Sequence, residues 1–143
     1  MNKQNNKTIT IETTINSPVE KVWKCWTTPG DIMQWNNASP DWHTRSAEND
    51  LRPGGKFTSR MEAKDGSMGF DFIGTYDEVI PNKKISYETE DNRKVIINFS
   101  SIGNTTQVVE SFEIESTHPE EMQRAGWQSI LDNFKKYVEK SAS

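Results

Sequence analysis

Near Thr117 the chain changes its period, and that change constrains the fold more than any other feature. From about Pro119 to Lys140 apolar residues recur at helical spacing: Met122, Gly126, Trp127, Ile130, Leu131, Phe134, Tyr137 and Val138. The opposite face carries Glu121, Arg124, Gln128, Asp132, Lys135 and Glu139. Thr117 with Glu120 reads as a capping box, and Pro119 suits the first turn. At about 1.5 Å per residue this is a helix roughly 30 Å long. A glycine inside it costs about 1 kcal/mol against alanine, so Gly126 is expected where the helix comes closest to its neighbours.

Everything between residues 56 and 115 has the other period. "KFTSRMEA", "MGFDFIGTYDEVI", "KISYETE", "KVIINFSS" and "TQVVESFEIE" are separated by turn signals at Asp65-Gly66, Pro81-Asn82, Asp91-Asn92 and Gly103-Asn104. Short strands joined by tight turns run antiparallel. "DLRPGGKF" adds a turn in which Pro53 pre-sets φ and Gly54 accepts a positive one. Gly55 then lets the next strand start close against a neighbour. "TITIETTI" alternates as a half-buried strand, and "TRSAEND" reads as a short edge strand. Ser17, Pro18 and Glu20 start a first short helix with Val19, Val22, Trp23 and Trp26 on one face. Thr28-Pro29 starts a second, carrying Ile32, Met33 and Trp35.

Strands segregated from a terminal helix define an α+β fold. A sheet of six or seven strands twists too strongly to lie flat. It is expected to curl around the long C-terminal helix as a helix-grip architecture, in one domain covering residues 1–143, with residues 1–7 a flexible tail.

Composition removes several functions. A net charge of −4 with scattered basic residues argues against a nucleic-acid surface, which needs clustered Lys and Arg. The single Cys25 excludes an internal disulfide, and His43 and His118 are too far apart for a metal site. No long apolar run and no secretory leader are visible, so no membrane is expected and the default location is cytoplasmic. No cofactor is called for. Five tryptophans and six phenylalanines remain to build a core, a cavity, or both.

Five stretches together resemble one known family. "SPVEKVWKCWT" is similar to its first helix, with Trp35 following a Pro-led second helix. "DLRPGGKF" resembles its Asp-x-Arg-x-Gly-Gly turn, and "GTYDEVIPNKKISY" its Gly-x-x-x-Glu-x-x-Pro-x-x-x-Ile segment. "GWQSILDNFKKYV" resembles its Gly-Trp-x-x-x-Leu-x-x-Leu helix, with Phe134 in the second leucine position. The family is that of the activator of heat-shock-protein-90 ATPase homologues, within the START-like (SRPBCC) superfamily. The resemblance implies a helix-grip fold with a cavity between sheet and long helix. It implies no single activity: members of the superfamily bind apolar ligands, carry out cyclase or aromatase chemistry, or act on chaperones. The eukaryotic chaperone activators carry a separate N-terminal domain, for which 143 residues leave no room.

Period-2 alternation selects the strand residues that face the helix. The expected cavity lining is Trp35, Phe57, Met61, Phe70, Phe72, Tyr87, Phe99, Glu110, Phe112, Trp127, Ile130 and Phe134. Trp42 is a further candidate in the loop over its mouth, while Trp23 and Trp26 read as core. Gly74 invites a bulge that would reverse parity beyond it. Glu110 shares a face with Val108 and Phe112, where an unpaired carboxylate is costly and its pKa rises. Such a residue more often sits near a strand end, reaches water or pairs with a base. The alternative is a carboxyl that anchors a ligand or moves a proton. Cys25 reads as a small buried residue, His118 as structural and His43 as a surface histidine. No nucleophile triad, phosphate loop or paired-carboxylate motif is present. The leading reading is therefore a non-catalytic module for a small apolar or amphipathic ligand, acting as monomer or homodimer. A chaperone-associated stress-response protein and an enzyme using Glu110, Tyr87 or His43 are the alternatives.

Overall fold

The computed structural model describes residues 7–141. Residues 1–6 of the tail expected at the N-terminus lie outside that range, while the Lys7 carbonyl accepts the Ile114 N–H at 2.9 Å. The elements run β1 (Thr8–Ile15), α1 (Val19–Thr27), α2 (Pro29–Trp35), β2 (Trp42–Asn49), β3 (Lys56–Ala63), β4 (Gly69–Ile80), β5 (Lys84–Thr89), β6 (Lys94–Ile102), β7 (Thr105–Glu113) and α3 (Glu120–Lys140). The strands form one antiparallel sheet in the order β1-β7-β6-β5-β4-β3-β2. The fold is the α+β helix grip, with α3 laid across the concave face.

The turns form where residue chemistry permits them. Asn82 and Asn92 take φ of 65° and 64°, conformations that asparagine tolerates. In the turn after β2, the Gly55 N–H donates to the Arg52 carbonyl at 2.8 Å, with Gly54 at φ 84°. The same turn is sewn to β4: the Gly54 N–H donates to the Tyr76 carbonyl at 2.8 Å, and the Tyr76 N–H to the Gly55 carbonyl at 2.9 Å. A Cβ on Gly55 would stand 2.1 Å from the Asp50 carbonyl oxygen, so only glycine fits there. The bulge in β4 is not at Gly74. Register slips between Tyr76 and Glu78, making Asp77 the extra residue, so Phe70, Phe72, Gly74 and Tyr76 keep one parity. Gly74 serves packing instead: a Cβ there would lie 2.4 Å from the Phe57 ring.

The core is densest under the C-terminal half of α3. Leu131, Phe134 and Val138 are fully buried against Ile9, Ile15, Val22, Ile97 and Val108. Phe134 meets Trp26 and Trp35 edge-to-face, both with ring centroids at 4.8 Å. Trp35 lies 5.0 Å from Trp26, and its indole N–H donates to the Cys25 carbonyl at 2.9 Å. Phe99 receives Trp23 and Trp26 from the other side, at 5.3 and 5.8 Å.

Three local expectations are corrected. The capping boxes do not form: Pro18 and Pro119 occupy the N-cap positions, with no side-chain cap. Ahead of α3 the Glu115 carboxylate accepts from the Thr117 and His118 backbone N–H groups instead, at 2.6 and 2.8 Å. Met122 points to solvent, 58% exposed, and Gln123 takes the inner position. The Gln123 amide satisfies the strand-to-helix connection by bonding the Glu115 N–H and the Glu115 and His118 carbonyls. Finally, Gly126 is not a point of close approach, because a Cβ there meets nothing within 4 Å.

That last finding reverses the expected effect of substitution. Gly126→Ala should raise stability by about 1 kcal/mol, since it removes backbone entropy from the unfolded chain and meets no neighbour. Urea unfolding measures it; a loss of stability would show that the helix needs the glycine.

Candidate functional site

Under the N-terminal half of α3 the helix meets the sheet through Trp127 on Phe112, and beside that contact the two stand apart. The space between them is a cavity of about 360 Å³, within the range of small-ligand sites. The sheet supplies Phe57, Ser59 and Met61 from β3, Phe70, Phe72 and Tyr76 from β4, Ile85 and Tyr87 from β5, and Glu110 from β7. Gln123, Trp127 and Ile130 of α3 form the opposite wall, and Trp26, Ile32 and Trp35 close one end. Asn36, Glu48, Arg93 and Glu115 supply polar groups to the lining.

Eight aromatic side chains share the lining. Phe57 meets Tyr87 at 4.7 Å and 83°, and stands 5.4 Å from Tyr76 and 5.7 Å from Phe72. Phe72 reaches across to Trp127 at 6.3 Å and 80°. Trp127 is held from behind by Phe112, stacked at 4.2 Å with only 8° between the planes. Edge-to-face and offset contacts of this kind fix ring orientation as well as burying area.

Glu110 is the exception in this apolar setting. It lies mid-strand, between Ile11 of β1 and Ile97 of β6, and is 5% exposed. Among the described residues its carboxyl has no hydrogen-bond or ion-pair partner. Among the described residues no fully enclosed side-chain nitrogen or oxygen lacks a partner, so the carboxyl keeps its small accessible area, and that area opens into the cavity. Burial alone pushes its pKa up to about 8. The Tyr87 hydroxyl is pushed well above its ordinary value, chiefly by burial and then by the Glu110 charge. Glu110 thus lies on the cavity lining where parity puts it, and not at the strand end or in the ion pair of the competing placement.

Of the twelve residues expected to line the cavity, the structure brings nine together there: Trp35, Phe57, Met61, Phe70, Phe72, Tyr87, Glu110, Trp127 and Ile130. Phe70 stands at the mouth, 48% exposed and 6.0 Å from Trp42. Phe99, Phe112 and Phe134 are placed elsewhere. Phe99 and Phe134 are consumed by the packing of Trp23, Trp26 and Trp35, and Phe112 lies behind Trp127. Trp26, read as core, also touches the cavity, whereas Trp42 faces an outer groove. Sequence reading missed Tyr76 and Gln123 as lining. Tyr76 had a signal, because parity from Phe72 reaches it; Gln123 had none.

The remaining chemistry-bearing side chains are not assembled into a second centre. His43 lies on the outer groove, and His118 Nδ1 pairs with the Glu115 carboxylate at 2.5 Å. Cys25 is buried, and burial raises its thiol pKa. Among the described residues no group of three or more His, Cys, Asp or Glu could hold a metal ion. No helix there is long and apolar enough to cross a membrane.

A curved antiparallel sheet gripping a C-terminal helix over an internal cavity defines a START-like domain. Residues 16–139 match the family described as activator of Hsp90 ATPase homolog 1-like protein, and the chain belongs to that family. Two solved structures are similar over nearly the whole length. One, an activator-homologue-like protein of Aeromonas hydrophila, is 47% identical at a TM-score of 0.88, with 93% of this chain and 92% of that one covered. The other, from Cytophaga hutchinsonii, is 54% identical at 0.81, with 92% of each chain covered. A protein of Nitrosomonas europaea shares the fold at 20% identity and a TM-score of 0.82, covering 93% of this chain and 94% of that one. No curated protein is similar to the chain at a significant level.

The buried carboxyl makes a prediction about stability. The folded pKa of about 8 lies above the ordinary value of 4.5. Between these values the folded state holds a proton that the unfolded state releases, so this contribution is full below the lower value and is lost as pH rises through the upper one. Each unit of pH across that window costs about 1.4 kcal/mol. Glu110→Gln removes the dependence. Chemical denaturation of both proteins from pH 4 to 9 should show the variant gaining on the wild type as pH rises; parallel curves would place Glu110 in water.

Proposed function

We propose that the protein is a non-catalytic binding module for a small apolar or amphipathic molecule held between the sheet and α3. One observation carries this reading: a half-open space of about 360 Å³ with an aromatic-rich lining and a single buried carboxyl without a partner. An unpaired carboxyl facing an apolar space has no structural benefit. Pockets of this composition bind by apolar area and orient the guest through one or two polar groups. Membership of a START-like family, whose folds typically enclose ligand cavities, supports the same reading. Family membership is also the support for the alternative, a chaperone-associated role, which co-purification with an Hsp90-class chaperone would test.

A neutral fluorescent probe, N-phenyl-1-naphthylamine, should bind the folded protein with micromolar affinity and quench tryptophan emission, because Trp26, Trp35 and Trp127 border the space. Ser59 is buried on the cavity wall, so Ser59→Phe should fill the space and weaken probe binding at least tenfold. Equal binding by the variant would place the probe outside the cavity. Native mass spectrometry of protein purified from cells then asks whether a small molecule is retained.

A further inference from the structure

The polar groups around the cavity are unevenly signed. Glu48, Glu110 and Glu115 line it, against one base, Arg93. The Arg93 guanidinium is already engaged, donating to the Asp91 carboxylate at 2.8 Å. Glu115 is engaged too, by the His118 ring and backbone N–H groups. Glu110 is therefore the buried charge-bearing group that opens inward without a partner. The elements packed beside it offer no base: β1 presents Ile11, β6 presents Ile97, and α3 presents Trp127 and Gln123 to the same space. The titratable groups on the same lining are the Tyr87 and Tyr76 hydroxyls, Glu48, Arg93 and Glu115.

The walls around this carboxyl suit one kind of guest. Phe57 and Tyr87 stand nearly perpendicular, as do Phe72 and Trp127, so the lining offers ring faces in more than one direction. A ring face attracts a cation, and aromatic boxes recognise alkylated ammonium groups in this way. A neutral apolar molecule gains nothing from this carboxyl, an anion is repelled once it ionises, and a cation gains by its ionisation.

We propose that the cavity's ligand is an organic cation: an amine or quaternary ammonium group on an apolar body, with the nitrogen set against Glu110 and the aromatic rings. This deepens the binding reading above and rests on it. Glu110 holds a proton at neutral pH in the free protein. A bound cation favours the carboxylate, so binding expels that proton, and affinity rises with pH until Glu110 is ionised in the free protein.

A matched pair of probes tests the assignment: 4-phenylbutyltrimethylammonium and its uncharged isostere with carbon in place of nitrogen. Neither probe titrates. At pH 9 the wild type should bind the cation at least tenfold more tightly than the isostere, and in Glu110→Gln that ratio should fall to about one. Calorimetry at pH 7 in buffers of different ionisation enthalpy should show close to one proton released per cation bound and none for the isostere. Equal or tighter binding of the isostere by the wild type overturns the cation assignment while leaving an apolar cavity. Binding of the cation with no proton release, and an unchanged ratio in Glu110→Gln, overturns the role of Glu110 and with it the assignment. Failure of both probes and of the neutral naphthylamine overturns the binding reading itself.

Discussion

One helix must cover the concave face of seven strands, and the rest of the structure follows from that mismatch. The 21 residues of α3 cannot touch the whole sheet. They settle tightly at the C-terminal end, where Phe134 packs edge-to-face against both Trp26 and Trp35 and Leu131 and Val138 complete the seal. Toward the N-terminal end, a small residue on the sheet, Ser59, leaves depth that Trp127 and Ile130 do not fill. The cavity is the remainder of an incomplete cover, shaped by rings that hold one another in place.

Much of this architecture was legible because it rests on periodicity. Regular alternation in β3, β5, β6 and β7, the turn residues between strands and the helical spacing after Pro119 each name an element and a face. Parity even placed Glu110 with Val108 and Phe112. Depth was not legible. Nothing in the spacing separates Phe112, stacked behind Trp127, from Phe72, which borders the space, because both point the same way. Nor could spacing tell that Phe99 and Phe134 are used up by the tryptophans of α1 and α2. Those contacts depend on where short helices land after loops, and the loops have no period.

The local errors share a cause. Ser17 and Thr117 have the right residue types for capping, yet tertiary partners took over the work of ordering both helix starts. The Thr106 hydroxyl reaches the Ser17 carbonyl at 2.8 Å, and Glu115 and Gln123 organise the approach to α3. Gly126 gave a different lesson. A residue with an intrinsic penalty was assigned a compensating contact, and the structure shows open space at that point. Propensity states a cost and says nothing about whether a benefit exists.

The amide of Asn49 has both of its ends in use. Its oxygen accepts from the Tyr76 hydroxyl, and its nitrogen donates to the Thr27 carbonyl at 2.7 Å. One side chain thus ties the end of α1 to β2 and to β4, beside the turn that is itself sewn to Tyr76. Separating these elements breaks both bonds together, which makes that flank slow to open. On the other flank Phe70 stands half in water on the cavity's rim, and rotation about two side-chain bonds is enough to uncover the space behind it. The width of the opening beside Phe70 therefore varies on the timescale of a turning ring rather than of a loosening sheet.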